Sequence, residues 1–137
     1  MIKFTIDGEP VAQGRVRFST QGGFARAYDP KKSRDYKSYI KSIAQDNAYV
    51  HLLQNDLKVV LDVYKTIPNS WSNKKKEKAK QGDLRPVTKP DCDNYAKIVL
   101  DACNKIIWND DSQIVELIVR KWYSDEPRIE VEVESVG

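Results

Sequence analysis

The chain has 137 residues, of which 40% are apolar and 31% charged, with a formal net charge of +3. That balance suits one domain over residues 1–137 with a modest core and excludes a disordered chain, which is far more polar. No apolar run approaches the roughly 20 residues needed to cross a bilayer, and Asp7 comes too early for a signal-peptide core, so a cytoplasmic protein with no membrane partner is expected.

Cys92 and Cys103 are the only cysteines. On one helix they would stand about 16 Å apart at 1.5 Å per residue. That exceeds the roughly 7 Å a disulfide allows, so two reduced thiols are expected. A single histidine, His51, and the lack of a C-x-x-C exclude a structural zinc site. The net charge hides an asymmetry. The first 89 residues carry 18 Lys and Arg against 9 Asp and Glu, whereas the last 48 carry 5 against 11. A basic part can follow a phosphate backbone, and an acidic part suits a divalent cation.

In chain order, residues 3–6 alternate as a strand. Gln13-Gly14-Arg15-Val16-Arg17-Phe18, Gly22-Gly23 and Tyr28-Asp29-Pro30-Lys31-Lys32 read as a long cationic loop. Tyr36, Tyr39, Ile40, Ile43 and Ala44 recur with helical spacing, which predicts a helix over 33–50 capped by Ser33. A buried strand over 57–67 ends at Pro68. A short exposed lysine-rich helix follows within 69–81, stopped by Gly82. A second long helix spans 92–107, then strands at 114–123 and 128–133, the last with Ile129, Val131 and Val133 on one face. The expectation is an α+β domain of order β-α-β-α-β-β, a mixed sheet packed by two long helices.

The chemistry concentrates in Lys89-Pro90-Asp91-Cys92-Asp93-Asn94-Tyr95-Ala96-Lys97. At 100° per residue, Asp93, Asn94, Lys97, Asp101 and Asn104 share one side of the helix. Tyr95, Ile98, Val99, Ala102, Cys103 and Ile106 share the side that should face the core. Asp91 takes the N-cap position, where the helix start favours a carboxylate. Converging acids raise one another's pKa unless a cation neutralises them, and magnesium, held by one or two carboxylates with waters and phosphates, meets that need. Asp110 or Asp111 could complete the cluster if the next strand returns past the helix start. Taken singly, D-x-D is as ordinary as a cap with a solvated neighbour.

Pro90-Asp91-Cys92-Asp93-Asn94-Tyr95-Ala96-Lys97, followed by Asp101-Ala102 and Trp108-Asn109-Asp110-Asp111-Ser112-Gln113-Ile114, resembles the signature of the RusA-type Holliday junction resolvases, small bacterial and prophage endonucleases. The upstream basic loop is similar to that of phage-borne members, and Ser70-Trp71-Ser72 with its lysines to the segment before their catalytic motif. The resemblance implies three metal-binding catalytic aspartates, Asp91, Asp93 and Asp111, with Lys97 as a supporting lysine. It also implies a magnesium-dependent homodimer that places paired nicks in opposing strands of a four-way DNA junction. Cys92 stands where an aliphatic residue is frequent.

Arg15 and Arg17 flank Val16, so an extended backbone projects both to one side, where each could grip phosphate. Lys31, Lys32 and Arg34 oppose the dipole of a helix start, which also points to a phosphate partner. Lys74, Lys75, Lys76, Lys78 and Lys80 could extend that surface, although a solvated charged helix accounts for them better. Trp71, Trp108 and Trp122 read as packing anchors, with Trp71 the one candidate to wedge a junction. The alternative to a nuclease is a non-catalytic branched-DNA-binding protein of the same fold, its aspartates serving as cap and surface.

Overall fold

Alternation in the first strand sets the inner face of the sheet. β1 (Ile2–Asp7) buries Ile2, Phe4 and Ile6 and exposes Lys3, Thr5 and Asp7, as a period of two requires. The computed structural model describes every residue except 16, 20, 24, 25 and 29, with backbone alone at 17, 19, 21, 26 and 28. β1 pairs antiparallel with β6 (Arg128–Ser135), Phe4 opposite Val131. β6 pairs antiparallel with β4 (Leu57–Thr66), Val131 opposite Leu61. β4 pairs parallel with β5 (Ile114–Ser124), giving a mixed sheet of order β1-β6-β4-β5.

Leu57, Val59, Leu61 and Val63 of β4 are fully buried under two helices. α1 (Lys31–Asn47) contributes Tyr36, Ile40 and Ala44, and α3 (Cys92–Cys103) contributes Tyr95, Ile98, Val99, Ala102 and Cys103. The opposite face carries cross-strand ion pairs, Lys3 with Glu132 at 3.3 Å and Arg120 with Asp62 at 2.7 Å. The exposed Lys3–Glu132 pair adds little stability, whereas Arg120 grips a largely covered Asp62 with two hydrogen bonds. The α+β class and the order β-α-β-α-β-β of the main layer are thus as the periodicity predicts, with α2 (Asn73–Lys80), capped by Ser72, between β4 and α3. Both cysteines are free thiols. Among the described residues no helix is long and apolar enough to cross a membrane.

The structure departs from the sequence expectations at three points. The long basic loop contains a hairpin, β2 (Arg17–Ser19) with β3 (Arg26–Tyr28), whose strands are too short to show alternation. Ser33 does not cap α1, because Pro30 takes that position. Ser33 is instead buried, its hydroxyl accepting the Gly14 N–H at 2.9 Å. α3 stops at Cys103, four residues early: Asn104 turns to an extended ψ of 131° and Lys105 to a left-handed φ of 66°, and Trp108 beyond this turn is fully buried in the core.

Candidate active site

α3 begins at a segment without helix or strand of its own, residues 85–90, that includes a cis Lys89–Pro90 peptide. Asp91 occupies the N-cap position. Its carbonyl accepts the N–H groups of Asn94 and Tyr95 at 3.2 and 3.4 Å, but its carboxylate makes no capping hydrogen bond. An N-cap aspartate ordinarily uses its side chain to satisfy a helix amide. Here that carboxylate stays exposed, and Asp93, in the first helical turn, is exposed beside it. Both lie where the helix start favours negative charge.

The approach to Asp91 is a cleft of about 1050 Å³. Arg15, Lys32, Lys65 and Lys89 line it together with Asp91 and Glu9. Three elements fix its walls. The Gln13 N–H donates to the Asn94 carbonyl at 3.1 Å, tying the N-terminal loop to α3. Ser33 holds Gly14, and the Thr66 hydroxyl donates to Glu9 from the end of β4. Tyr95, fully buried at the base, has a hydroxyl without a hydrogen-bond partner among the described residues, and burial pushes its pKa up to about 12.

β5 does return past the start of α3, with the Val119 carbonyl 3.9 Å from the Cys92 Sγ. What it brings there is Lys121, whose ammonium donates to the Thr88 and Pro90 carbonyls at 3.0 Å each. The acid pair precedes β5 and therefore stays at the other end of the helix. Asp111 opens a short 3-10 turn (Asp111–Gln113), and its Oδ1 accepts the Trp108 Nε1–H at 2.7 Å. Burial raises its pKa, helped by Asp101 and Asp110, while the indole bond opposes the rise. Asp110 is exposed, and the Ser112 hydroxyl holds its pKa below the usual carboxylate value. Twelve residues of helix correspond to roughly 18 Å between the two ends. Among the described residues of one chain no group of three or more His, Cys, Asp or Glu side chains is arranged to hold a metal ion. The expected closure of the acid cluster by the returning strand within one chain does not occur, because the strand and the acids that precede it reach opposite ends of α3. Asp91 and Asp93 by themselves suit a hard cation: two carboxylates at one helix turn, with Asp91 Oδ atoms not spent on capping.

The model of the family described as Endodeoxyribonuclease RusA matches residues 7–134, from the end of β1 to the end of β6. The chain belongs to the RusA endodeoxyribonuclease family. A similar chain from Bacillus subtilis (strain 168), the uncharacterized protein YqaN, is 49% identical over 138 residues, 99% of this chain and 97% of its own.

As a RusA-family chain it distributes its cations unevenly. Arg15 and Lys32 lie in the Asp91 cleft. Lys31 and Arg34 are exposed on the first turn of α1, which holds no acid itself, and Asp35 just beyond it pairs with Lys31 at 3.6 Å. The Arg17 side chain lies outside the described residues. Lys74 and Lys75 line a separate groove beside α2, and Lys76 is half-buried on the same helix. The Trp71 ring meets Tyr123 edge-on at 5.0 Å and carries Lys75 over its face at 4.1 Å. Lys97 is exposed one turn beyond Asp93, and the ion pair of Asp101 goes to Lys37 of α1. Sequence reasoning missed Glu9, Lys65 and Lys89 as cleft components, and Lys121 as a support of the segment that carries Asp91. The available signal was a lone lysine late in each of two apolar strands, β4 and β5.

Proposed function

We propose that this RusA-family chain is a magnesium-dependent, structure-specific endodeoxyribonuclease that resolves four-way DNA junctions as a homodimer. The observation that carries the reading is the exposed Asp91 carboxylate, released from capping and lining a cleft whose other charged walls are mostly cationic. A mostly cationic cleft concentrates a polyanion, and four cations with two acids, Asp91 and Glu9, suit a phosphodiester with one metal cation between.

In this reading Asp91 and Asp93 hold the metal, and Arg15, Lys32 and Lys89 hold backbone phosphates on either side of the scissile bond. Magnesium, when bound, supplies Lewis acidity and lowers the pKa of water. Lys97 neutralises charge that develops on the phosphate. Water adds to phosphorus in line and gives a proton to solvent, while the P–O3′ bond breaks and O3′ takes a proton from solvent, leaving a 5′ phosphate and a 3′ hydroxyl. Asp111 lies beyond the far end of α3 from Asp91, and in this reading it serves, as the third acid, the site of a second copy. That makes two copies necessary for one complete site, and two such sites give paired nicks.

A labelled four-way junction incubated with Mg²⁺ and then with EDTA tests the proposal. Symmetric nicks that require the metal support it. A shifted band with intact strands in both conditions supports the second reading, a non-catalytic branched-DNA-binding protein. The absence of a three-acid group within one chain, among the described residues, is the observation that keeps this second reading in play.

A further inference from the structure

The segment that carries Asp91 is held from below by two lysines on neighbouring parallel strands. Lys121 of β5 donates to the carbonyls of Thr88 and Pro90 at 3.0 Å each, and Lys65 of β4 donates to the Lys89 carbonyl between them at 3.3 Å. Three successive carbonyls of a stretch with no secondary structure of its own are thus tied to the sheet. Lys65 and Lys121 sit near the same end of the β4–β5 pair, where Val63 lies opposite Lys121 and Lys65 opposite Tyr123. The Arg85 Nε–H closes the arrangement from the other side, donating to the Lys121 carbonyl at 2.8 Å.

We propose that Lys121 is a positioning residue for the reaction, with Lys65 as a second strut, fixing the Pro90–Asp91 backbone so that the Asp91 carboxylate meets metal and phosphate at the right place. This rests on the reading of Asp91 as a metal ligand.

The choice of residue is physically telling. A half-buried ammonium that spends two donors on main-chain carbonyls adds a positive charge at the positive end of α3, which disfavours the fold taken alone. That charge is favourable when carboxylates and phosphates collect at the same helix end. The ammonium presents three donors in a tetrahedral array, so it can bridge two carbonyls that are not adjacent. A site on a rigid sheet is placed more closely than one on a free loop, and an ångström of misplacement can cost a factor of about 100 in rate.

The experiment compares wild type, Lys121→Met and Lys121→Arg as full-length protein. Single-turnover cutting of a four-way junction is measured in Mg²⁺, junction affinity in EDTA, and amide exchange at Asn94 and Tyr95 without metal. The Met variant should cut about 10- to 100-fold more slowly, as loss of a residue supporting a ligand does. Its metal-free affinity should stay near wild type, and its Asn94 and Tyr95 amides should exchange faster. Lys121→Arg, which keeps several donors, should restore most of the rate.

Wild-type cutting by Lys121→Met, or a fall in affinity parallel to the fall in rate, overturns the positioning role. Unchanged amide exchange overturns it as well. If the wild-type enzyme itself fails to cut, the nuclease reading falls, and the exchange data still decide whether Lys121 orders the Asp91 segment. Should Lys121→Met not fold, Lys65→Met carries the rate and amide-exchange measurements with a smaller expected loss of rate, and wild-type values in both overturn the proposal.

Discussion

The Trp108 indole donates its Nε1–H to Asp111 Oδ1 at 2.7 Å, pinning a half-buried carboxylate against the core just beyond the end of α3. Burial and the nearby Asp101 and Asp110 raise the pKa of that carboxylate despite the indole bond. An acid whose folded pKa exceeds its unfolded value is protonated more readily in the fold. Its ionisation therefore costs stability, fully so above the folded pKa, and the cost vanishes as pH falls below the ordinary value of 3.8. Asp111→Asn keeps an acceptor for the indole and removes the charge. It should melt higher than wild type at neutral pH, with the gap closing toward pH 3.8, while junction cutting is lost. Thermal melts across pH check the first half, and a variant that melts lower at pH 7 contradicts it. A residue retained at a cost to stability fits a functional role.

Asp91 separates capping from catalysis. Replacing a capping aspartate by alanine ordinarily costs about 0.5–2 kcal/mol. Because this carboxylate does not cap, Asp91→Ala should unfold in denaturant within about 0.5 kcal/mol of wild type, the range of substitutions that touch nothing. Junction affinity should persist and cutting should disappear. A destabilisation near the ordinary capping value would instead restore the cap-and-surface role.

Subunit mixing tests whether Asp111 serves its own chain or a second copy. Asp91→Asn and Asp111→Asn proteins should each be inactive alone. If the acids meet across a dimer, a mixed dimer has one site with both defects and one intact, so mixing should recover single nicks without paired ones. If all three acids act within one chain, every site in the mixture keeps one defect and the junction stays uncut. Counting nicked and resolved products on a gel distinguishes the two.

Salt dependence of junction binding reports how many phosphates the protein neutralises. Removing one phosphate-binding cation flattens the slope of log affinity against log salt by about 0.9 on duplex DNA. Arg15→Ala and Lys32→Ala should each flatten it by roughly that amount, since both line the Asp91 cleft. Lys75→Ala should change it less, because Lys75 is committed to the face of Trp71 at 4.1 Å. Equal slopes for all three variants and wild type would remove the cleft from the DNA interface.

Gly14 offers a steric test of the cleft wall. A Cβ there would lie 2.9 Å from both the Pro30 Cγ and the Ser33 Oγ that accepts the Gly14 N–H. Gly14→Ala should destabilise the protein by about 1–3 kcal/mol, the usual cost of overpacking. It should also weaken junction binding through the displaced Arg15. Wild-type melting and affinity together would show that the loop gives way freely.

Much of the architecture was legible because burial imposes periodicity. Strict alternation in β1 and β6 and the apolar stripe of Tyr95, Ile98, Val99, Ala102 and Cys103 read directly onto the faces they occupy. The β2–β3 hairpin was not legible, since three-residue strands leave no period to detect. Nor was the early end of α3, where an extended Asn104 and a left-handed Lys105 turn the chain without the glycine that usually marks such a turn.

The sequence by itself determined which residues are chemically able to act: carboxylates in an Asp-x-Asp-Asn pattern, a later acid pair, and cations crowded into the first two thirds of the chain. Only the tertiary structure decided which of them share a space. The direction of β5 along α3 carries Lys121 to the helix start and leaves Asp111 at the far end, and pairing of β4 with β5 brings Lys65 beneath the same loop. Residue type is a local property written in the chain, whereas proximity across distant segments depends on strand order and direction, which the burial of a common core selects.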